Sequence, residues 1–203
     1  MQDRRMFLLS LAATLTSQTA APPAFAQTAE AVGRVAAVQG SASAQSAAQP
    51  RALQSGLQLF SGERVQTAAE SRLHAELGTS TQLYLGERTQ VRIDGNLVRR
   101  GGTIRLGSGA MMFDRSAPAP MPDVVIQSPF AMIAVRGTKV FAGPSNGVFG
   151  VFVERGEVSV RNAGGAVTLR AGQGTDIGKP GAKPTPAAAW SEPRIRAALA
   201  SVR

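Results

Sequence analysis

Residues able to do chemistry are scarce in this sequence. Its 203 residues include one His, one Tyr, one Trp and no Cys. Without Cys there are no disulfides, no thiolate metal ligands and no Cys nucleophile. A single His excludes the multi-His sites of zinc hydrolases. That residue stands in Leu73-His74-Ala75-Glu76-Leu77. Side chains two apart on a strand share a face, so His74 and Glu76 would lie side by side, away from the leucines. A His–carboxylate pair can move protons. No nucleophile or third partner is marked beside it, so an exposed polar strand face is expected. Gly101-Gly102-Thr103 and Gly107-Ser108-Gly109 are not followed by the Gly-Lys-Ser/Thr of a phosphate loop. Asp94, Asp123 and Asp176 are too scattered for a calcium loop. A glycan-cleaving enzyme would need two carboxylates facing one cleft, and no such pair can be placed. The sequence predicts no catalytic residue, no metal, no cofactor and a protein that is not an enzyme.

What remains is arginine. Lys and Arg number 22 against 13 Asp and Glu, a formal net charge of +9. Arg88, Arg92, Arg99, Arg100 and Arg105 crowd one stretch, opposed by Glu87 and Asp94. In Val91-Arg92-Ile93 and Ile104-Arg105-Leu106 the apolar neighbours face inward, so both arginines point outward. The two strands are expected to be joined through Asp94-Gly95-Asn96 and Arg99-Arg100-Gly101-Gly102. These five arginines form a candidate basic patch for an anionic partner: an acidic protein surface, a lipid headgroup or an anionic glycan of the cell envelope. A merely solubilising, Arg-rich surface is the other reading. A chain this basic would ordinarily suggest nucleic acid; the leader described below and an aromatic content of 5% argue against it.

These positions must be held by strands. From Val32 to Ile177 the hydrophobic period is two. Leu83-Tyr84-Leu85, Val124-Val125-Ile126, Val158-Ser159-Val160 and Val167-Thr168-Leu169 repeat the alternation. Turn signals recur every eight to twelve residues, among them Ser61-Gly62-Glu63, Pro144-Ser145-Asn146-Gly147 and Ala163-Gly164-Gly165. The predicted fold is all-β, a solenoid-like or sandwich-like domain of many short antiparallel strands. Two segments interrupt the rhythm: 41–55, read as an exposed loop or an edge hairpin, and a Pro-rich connector at 116–122. After Ile177 the composition changes. Residues 178–190 read as a Pro/Gly/Ala linker and 191–203 as a short amphipathic helix. Ser191 would cap it, Pro193 falls in its first turn, and Ile195, Ala198, Leu199 and Val202 share one face. A helix so short must dock, on the β domain or on a partner.

Residues 1–26 read as an export signal. Arg4-Arg5 is followed by a short apolar run from Met6 to Leu15, and Ala24-Phe25-Ala26 predicts cleavage before Gln27. Arg4-Arg5-Met6-Phe7-Leu8 resembles a twin-arginine signal, with Asp3 where Ser or Thr is usual. No segment reads as a membrane-spanning helix. A periplasmic or extracellular location is expected.

Six pieces in order carry a resemblance. They are Gly33-Arg34-Val35 with Val38 and Gly40; Leu59 to Thr67 (Leu-Phe-Ser-Gly-Glu-Arg-Val-Gln-Thr); Ser71-Arg72-Leu73 with Leu77-Gly78-Thr79 and Leu83; Ser128-Pro129 through Val135-Arg136-Gly137-Thr138; Val153-Glu154-Arg155-Gly156-Glu157-Val158; and Leu169-Arg170-Ala171-Gly172-Gln173. Together they resemble the FecR domain over residues 32–177, so that 27–177 is expected to be one FecR-like domain. The resemblance implies an extracytoplasmic all-β domain. In its namesakes that domain belongs to a sigma-factor regulator that passes a signal inward from an outer-membrane receptor. The expected function is therefore a non-enzymatic interaction or sensing module with a protein partner in the envelope; the alternative is a binding module for an anionic glycan. The motif residues Arg136, Gly137, Thr138, Glu154, Gly156 and Gly172 are read as structural. Gly137 would sit at a strand corner, Thr138 would bond its hydroxyl to nearby backbone, and Arg136 would pair with Glu154 across the sheet.

The leader generates the first test. Replacing Arg4 and Arg5 by Lys is expected to leave uncleaved precursor in the cytoplasm, because a twin-arginine receptor reads guanidinium geometry as well as charge. Fractionation followed by immunoblotting checks it. Undiminished export of the double variant would assign the chain to the general secretory route instead.

Overall fold

A computed structural model describes residues 30–46, 49–94, 101–116 and 123–203. The expected leader, Arg99, Arg100 and most of the Pro-rich connector lie outside them. Eighteen strands and one helix follow in chain order: β1 Ala31–Gln39, β2 Ala42–Gln45, β3 Pro50–Ala52, β4 Gln58–Phe60, β5 Arg64–Thr67, β6 Arg72–Leu77, β7 Thr81–Leu85, β8 Gln90–Asp94, β9 Gly102–Ser108, β10 Met111–Arg115, β11 Val124–Gln127, β12 Met132–Val135, β13 Lys139–Ser145, β14 Val148–Arg155, β15 Glu157–Asn162, β16 Gly165–Arg170, β17 Gln173–Ile177, β18 Ala188–Ala189 and α1 Glu192–Ala200.

The strands form two nine-stranded sheets. Sheet A has the order β18-β17-β14-β13-β10-β7-β6-β1-β4 and sheet B the order β16-β15-β12-β11-β9-β8-β5-β2-β3. Apart from the end pairs β1-β4 and β2-β3, strand numbers fall steadily along each sheet in these orders. The chain alternates between the sheets in ones and twos and advances along a single axis. The architecture is thus a sandwich in cross-section and a solenoid in its progression. At about 4.8 Å per strand, nine strands make each sheet roughly 40 Å long.

One pairing departs from the antiparallel expectation. β9 and β11 run parallel, with Ile104 opposite Ile126. Between them, among the described residues, lies a single strand, β10, in the other sheet, and one crossing out and one back restores the original direction. The crossover that any parallel pair requires is supplied here by a strand rather than a helix. The segment 41–55 is an edge hairpin: β2 pairs β3, with Pro50 on the outermost strand, where its missing N–H leaves no gap in the ladder.

The core lies between the sheets, built from the alternation seen in the sequence. Leu73, Ala75 and Leu77 of β6, Val91 and Ile93 of β8, Ile104 and Leu106 of β9 and Ile126 of β11 are buried in it. The polar positions between them face out. β14 differs, since Phe149 to Val153 are buried without interruption. An unbroken apolar run marks a strand covered on both faces.

The second cover is the C-terminal tail. β18 pairs with β17, with Ala188 opposite Gly174, and the next residue, Trp190, drops onto the outer face of sheet A. Its ring stacks on Phe152 at 5.2 Å and meets Phe141 edge-on at 6.4 Å. A Cβ on Gly150 would come within 2.7 Å of the indole, and one on Gly174 would overlap its Nε1. The absence of these two side chains makes the slot. Arg194 lies over the indole, 3.6 Å from its centre, and donates to Asp176 and Ser145 at 3.0 Å. Ala198 and Val202 are buried beside Met112 and Phe141, with Ile195 and Leu199 packed against them. Ser191 holds the N-cap position with extended backbone, but its hydroxyl makes no cap bond. Here the helix is fixed by packing and not by its cap. The stretch before Trp190 is also pinned. Asn162 donates to the Ala182 carbonyl at 2.7 Å, and Thr175 to that of Thr185 at 2.7 Å.

Trp190→Ala is expected to cost about 3 kcal/mol, the scale of a buried aromatic truncation. It should free residues 188–203 for proteolysis while the strand signal in circular dichroism persists. Gly174→Ala should free the tail in the same way. A tail that stays protected in both variants would show that the Trp190 slot does not hold it.

Candidate functional site

Cross-strand register turns the predicted arginines into a surface. On sheet B, Gln45 stands opposite Arg64, Arg64 opposite Arg92, and Arg92 opposite Arg105. The row continues through Gln127, Met132 and Arg161. Arg64, Arg92, Arg105 and Arg161 are all exposed. They extend from the outer face because each is flanked along its strand by residues committed to the core: Val91 and Ile93 around Arg92, Ile104 and Leu106 around Arg105. Among the described residues no element packs over this face, whereas the outer face of sheet A carries the tail.

Of the five arginines singled out from the sequence, the fold brings Arg92 and Arg105 together. Arg88 stands apart. It is a turn residue with a positive φ of 48°, at the far end of β8, 3.8 Å from Glu87. Arg99 and Arg100 lie outside the described residues. Arg64 and Arg161 are additions. Alternation alone could have shown that they face outward, but not that they share a row with Arg92.

Asp94 organises the middle of the row. It bonds Arg92 Nε at 3.0 Å and pairs with Arg105. Arg105 also donates to Gln127 at 3.2 Å. Arg64 and Arg161 have no ion-pair partner among the described residues. The row thus joins four guanidinium groups to one neighbouring carboxylate, a surface suited to anions and sensitive to salt.

His74 and Glu76 do share an outer strand face, but each is engaged elsewhere. His74 bonds Gln82 at 2.6 Å and stacks on Tyr84 at 4.3 Å. Glu76 pairs with Arg34 at 2.6 Å. Burial lowers the guanidinium pKa of Arg115 from the ordinary value. Among the described residues no three His, Asp or Glu side chains gather as metal ligands.

The motif residues form a packed corner. Gly137 turns the chain between β12 and β13 with φ of 61°, and Gly156 turns it between β14 and β15 with φ of 89°. The two turns touch. A Cβ on Gly156 would come within 2.8 Å of Thr138 Cγ2, whereas one on Gly137 would meet nothing within 4 Å. Thr138 is fully buried and its carbonyl accepts from Arg115 N–H at 3.0 Å. Its hydroxyl, expected to bond nearby backbone, has no partner among the described residues. Arg136 does not reach Glu154; it lies 3.9 Å from Asp123. Glu154 is held by Lys139 at 2.8 Å and Arg203 at 3.4 Å. Arg136 sits in the turn itself, where the strand alternation used to pair it with Glu154 no longer applies. Gly172, with φ of 81°, closes the turn before β17 and donates to the Val153 carbonyl at 2.8 Å.

The corner predicts an asymmetry between its glycines. Gly156→Ala combines backbone strain with a clash and is expected to lower stability by about 2 kcal/mol. Gly137→Asn, into open space at a left-handed position that Asn tolerates, should cost less than about 1 kcal/mol. Denaturant titration of both variants decides it, and equal losses would remove this account of the corner.

Residues 63–159 match the family described as FecR protein. No curated protein sequence matches the chain. Two crystal structures of a protein assigned as an anti-sigma factor in Parabacteroides distasonis ATCC 8503 share the fold. Each superposes with a TM-score of 0.56 at 13% identity, over 67% of this chain. The chain spans 64% and 63% of the length of those chains. At that identity the likeness is one of fold. The matched segment begins just before β5 and ends within β15, and the same two sheets continue past it at both ends, through the pieces at 33–40 and 169–173. The match to the FecR family spans residues 63–159, just under half of the chain.

Proposed function

We propose that this chain is an exported regulatory module that works by binding a protein partner and not by catalysis. The observation that carries the reading is the FecR domain, on a fold shared with a protein assigned as an anti-sigma factor. The surface is consistent with it: one sheet face is closed by the chain's own tail, and the other, basic face is open to a partner. The leader and its Ala-x-Ala site favour the periplasm or the exterior as the place of action. An anionic envelope glycan is the second reading. The row of guanidinium groups favours it, since their regular cross-strand spacing suits a linear polyanion.

The regulatory reading is tested in the host cell. Deleting the gene is expected to change a restricted set of transcripts, and the wild-type chain supplied in trans should restore them. A version without residues 1–26, retained in the cytoplasm, should not. Transcript levels indifferent to the deletion would end the regulatory reading, and restoration by the cytoplasmic version would end the exported one.

A further inference from the structure

The basic row does not stand alone. Met132 occupies the same register row, two strands beyond Arg105, and is 49% exposed, one of two large hydrophobic side chains so placed among the described residues. Arg105, Gln127, Pro129 and Met132 line a shallow depression at this end of the row. Leu106, Gly107 and Pro129 are shared with a more enclosed cleft at the strand ends. The cleft is made by three turns, β9 to β10, β11 to β12 and β13 to β14. Phe130 and Phe149 lie in its wall, stacked at 4.6 Å and nearly parallel, with Pro144 and Val148 beside them. Its one polar side chain is Ser108, whose hydroxyl donates to the Arg88 carbonyl at 3.3 Å. The cleft volume is about 280 Å³, just below the roughly 300 Å³ at which small-molecule sites usually begin. That size suits a large side chain better than a whole ligand.

We propose that the basic row and this cleft form one docking surface for an acidic segment of a protein partner. Carboxylates pair with Arg64, Arg92 and Arg105, and a large apolar side chain enters past Met132 to the Phe130–Phe149 wall. The proposal rests on the interaction reading above and names the partner's chemistry. Charge complementarity sets the acidic part, because the row carries four arginines against one neighbouring carboxylate, Asp94. The apolar part separates a peptide from a glycan, because a uniform polyanion has nothing to place in a cleft without charge. The spacing fits an extended chain laid along the row. Arg64 to Arg105 spans two strand steps, about 10 Å, and Arg105 to Met132 two more. A peptide rising about 3.3 Å per residue meets these points at every third residue: acid, acid, apolar. Asp94 acts against the partner. It occupies Arg92 and Arg105 in the free protein, holding them in place while competing for them.

The probe is a fluorescein-labelled synthetic peptide with the repeat Glu-Ser-Ser-Glu-Ser-Ser-Phe, titrated by fluorescence anisotropy with the mature chain. The controls replace its Phe by Ser or its Glu by Gln, and an oligogalacturonate serves as glycan competitor. Arg92→Ser/Arg105→Ser is expected to weaken binding about tenfold, and Met132→Ser severalfold. Asp94→Asn is expected to tighten it, and the Phe→Ser peptide to bind more weakly than its parent. These positions are at the surface, and a melting curve for each variant confirms the fold. Absence of saturable binding, or affinity indifferent to Arg92 and Arg105, overturns the surface. Equal affinity for the Phe→Ser peptide, no effect of Met132→Ser and full competition by oligogalacturonate overturn the peptide in favour of a polyanion. A transcript response that survives the Arg92→Ser/Arg105→Ser variant in cells overturns this surface while leaving the regulatory reading in place.

Discussion

Burial of two apolar sheet faces against each other is the constraint from which the rest of the structure follows. There is no Cys to cross-link the chain, and the one helix among the described residues lies outside the main core. The sandwich is held by side chains such as Leu73, Val91, Ile104, Ile126 and Val151, fully withdrawn between the sheets, and by the ladders that pair their backbones. With a side-chain period of two, a one-residue slip of any strand would turn its apolar set to solvent. Register is therefore fixed wherever the inner face is apolar. Once register is fixed, so are the neighbours on the outer face, whatever residues occupy it.

The two outer faces are solved differently. On sheet A one row runs His74, Tyr84, Met112, Phe141, Phe152 and Gly174 across six strands. Such an apolar row would be a liability if left open. The tail closes most of it with Trp190, Ala198 and Val202, and Gly150 and Gly174 leave the volume that the indole fills. On sheet B the corresponding row is arginine. It needs no cover, because guanidinium groups are well solvated and their alkyl stems shield the strands below. The chain thus covers one face with its own C-terminal segment and leaves the other open.

The family motifs lie largely on the scaffold side of this division. Gly137, Thr138 and Gly156 build a corner where two turns pack against each other, and Gly172 closes a third turn. Glu63, in the segment Leu59 to Thr67, is buried and accepts from Arg51 at 2.9 Å and from the Phe60 backbone at 3.0 Å. These residues hold the frame; the basic row and the cleft take Arg64, Pro129, Phe130 and Met132 from within the motif segments and the rest of their side chains from outside them. A likeness at this level speaks for architecture, and what binds is set by the side chains grafted onto it.

The sequence by itself determined the class of fold, the positions of most strands and which side of each strand is buried. Alternation is a property of one strand, so Leu73-His74-Ala75-Glu76-Leu77 declares its faces without knowledge of any partner. It also marked the helix face that docks, through Ile195, Ala198, Leu199 and Val202, and the corner glycines, because steric limits on φ act within a residue or two. The unbroken run Phe149 to Val153 held a further signal, of a strand covered twice. What the sequence could not show is which outward residues become neighbours. Arg64, Arg92, Arg105 and Arg161 span almost a hundred positions, and their row exists only after five strand pairings have been made. The local pattern leaves Arg88 as close to Arg92 as any other residue of the run, yet the fold puts it at the other end of β8. The Trp190 slot is of the same kind, since it depends on two glycines 24 positions apart meeting on adjacent strands. Burial is decided residue by residue along the chain; adjacency across a sheet is decided by the stacking of all the strands between, and only the tertiary structure carries it.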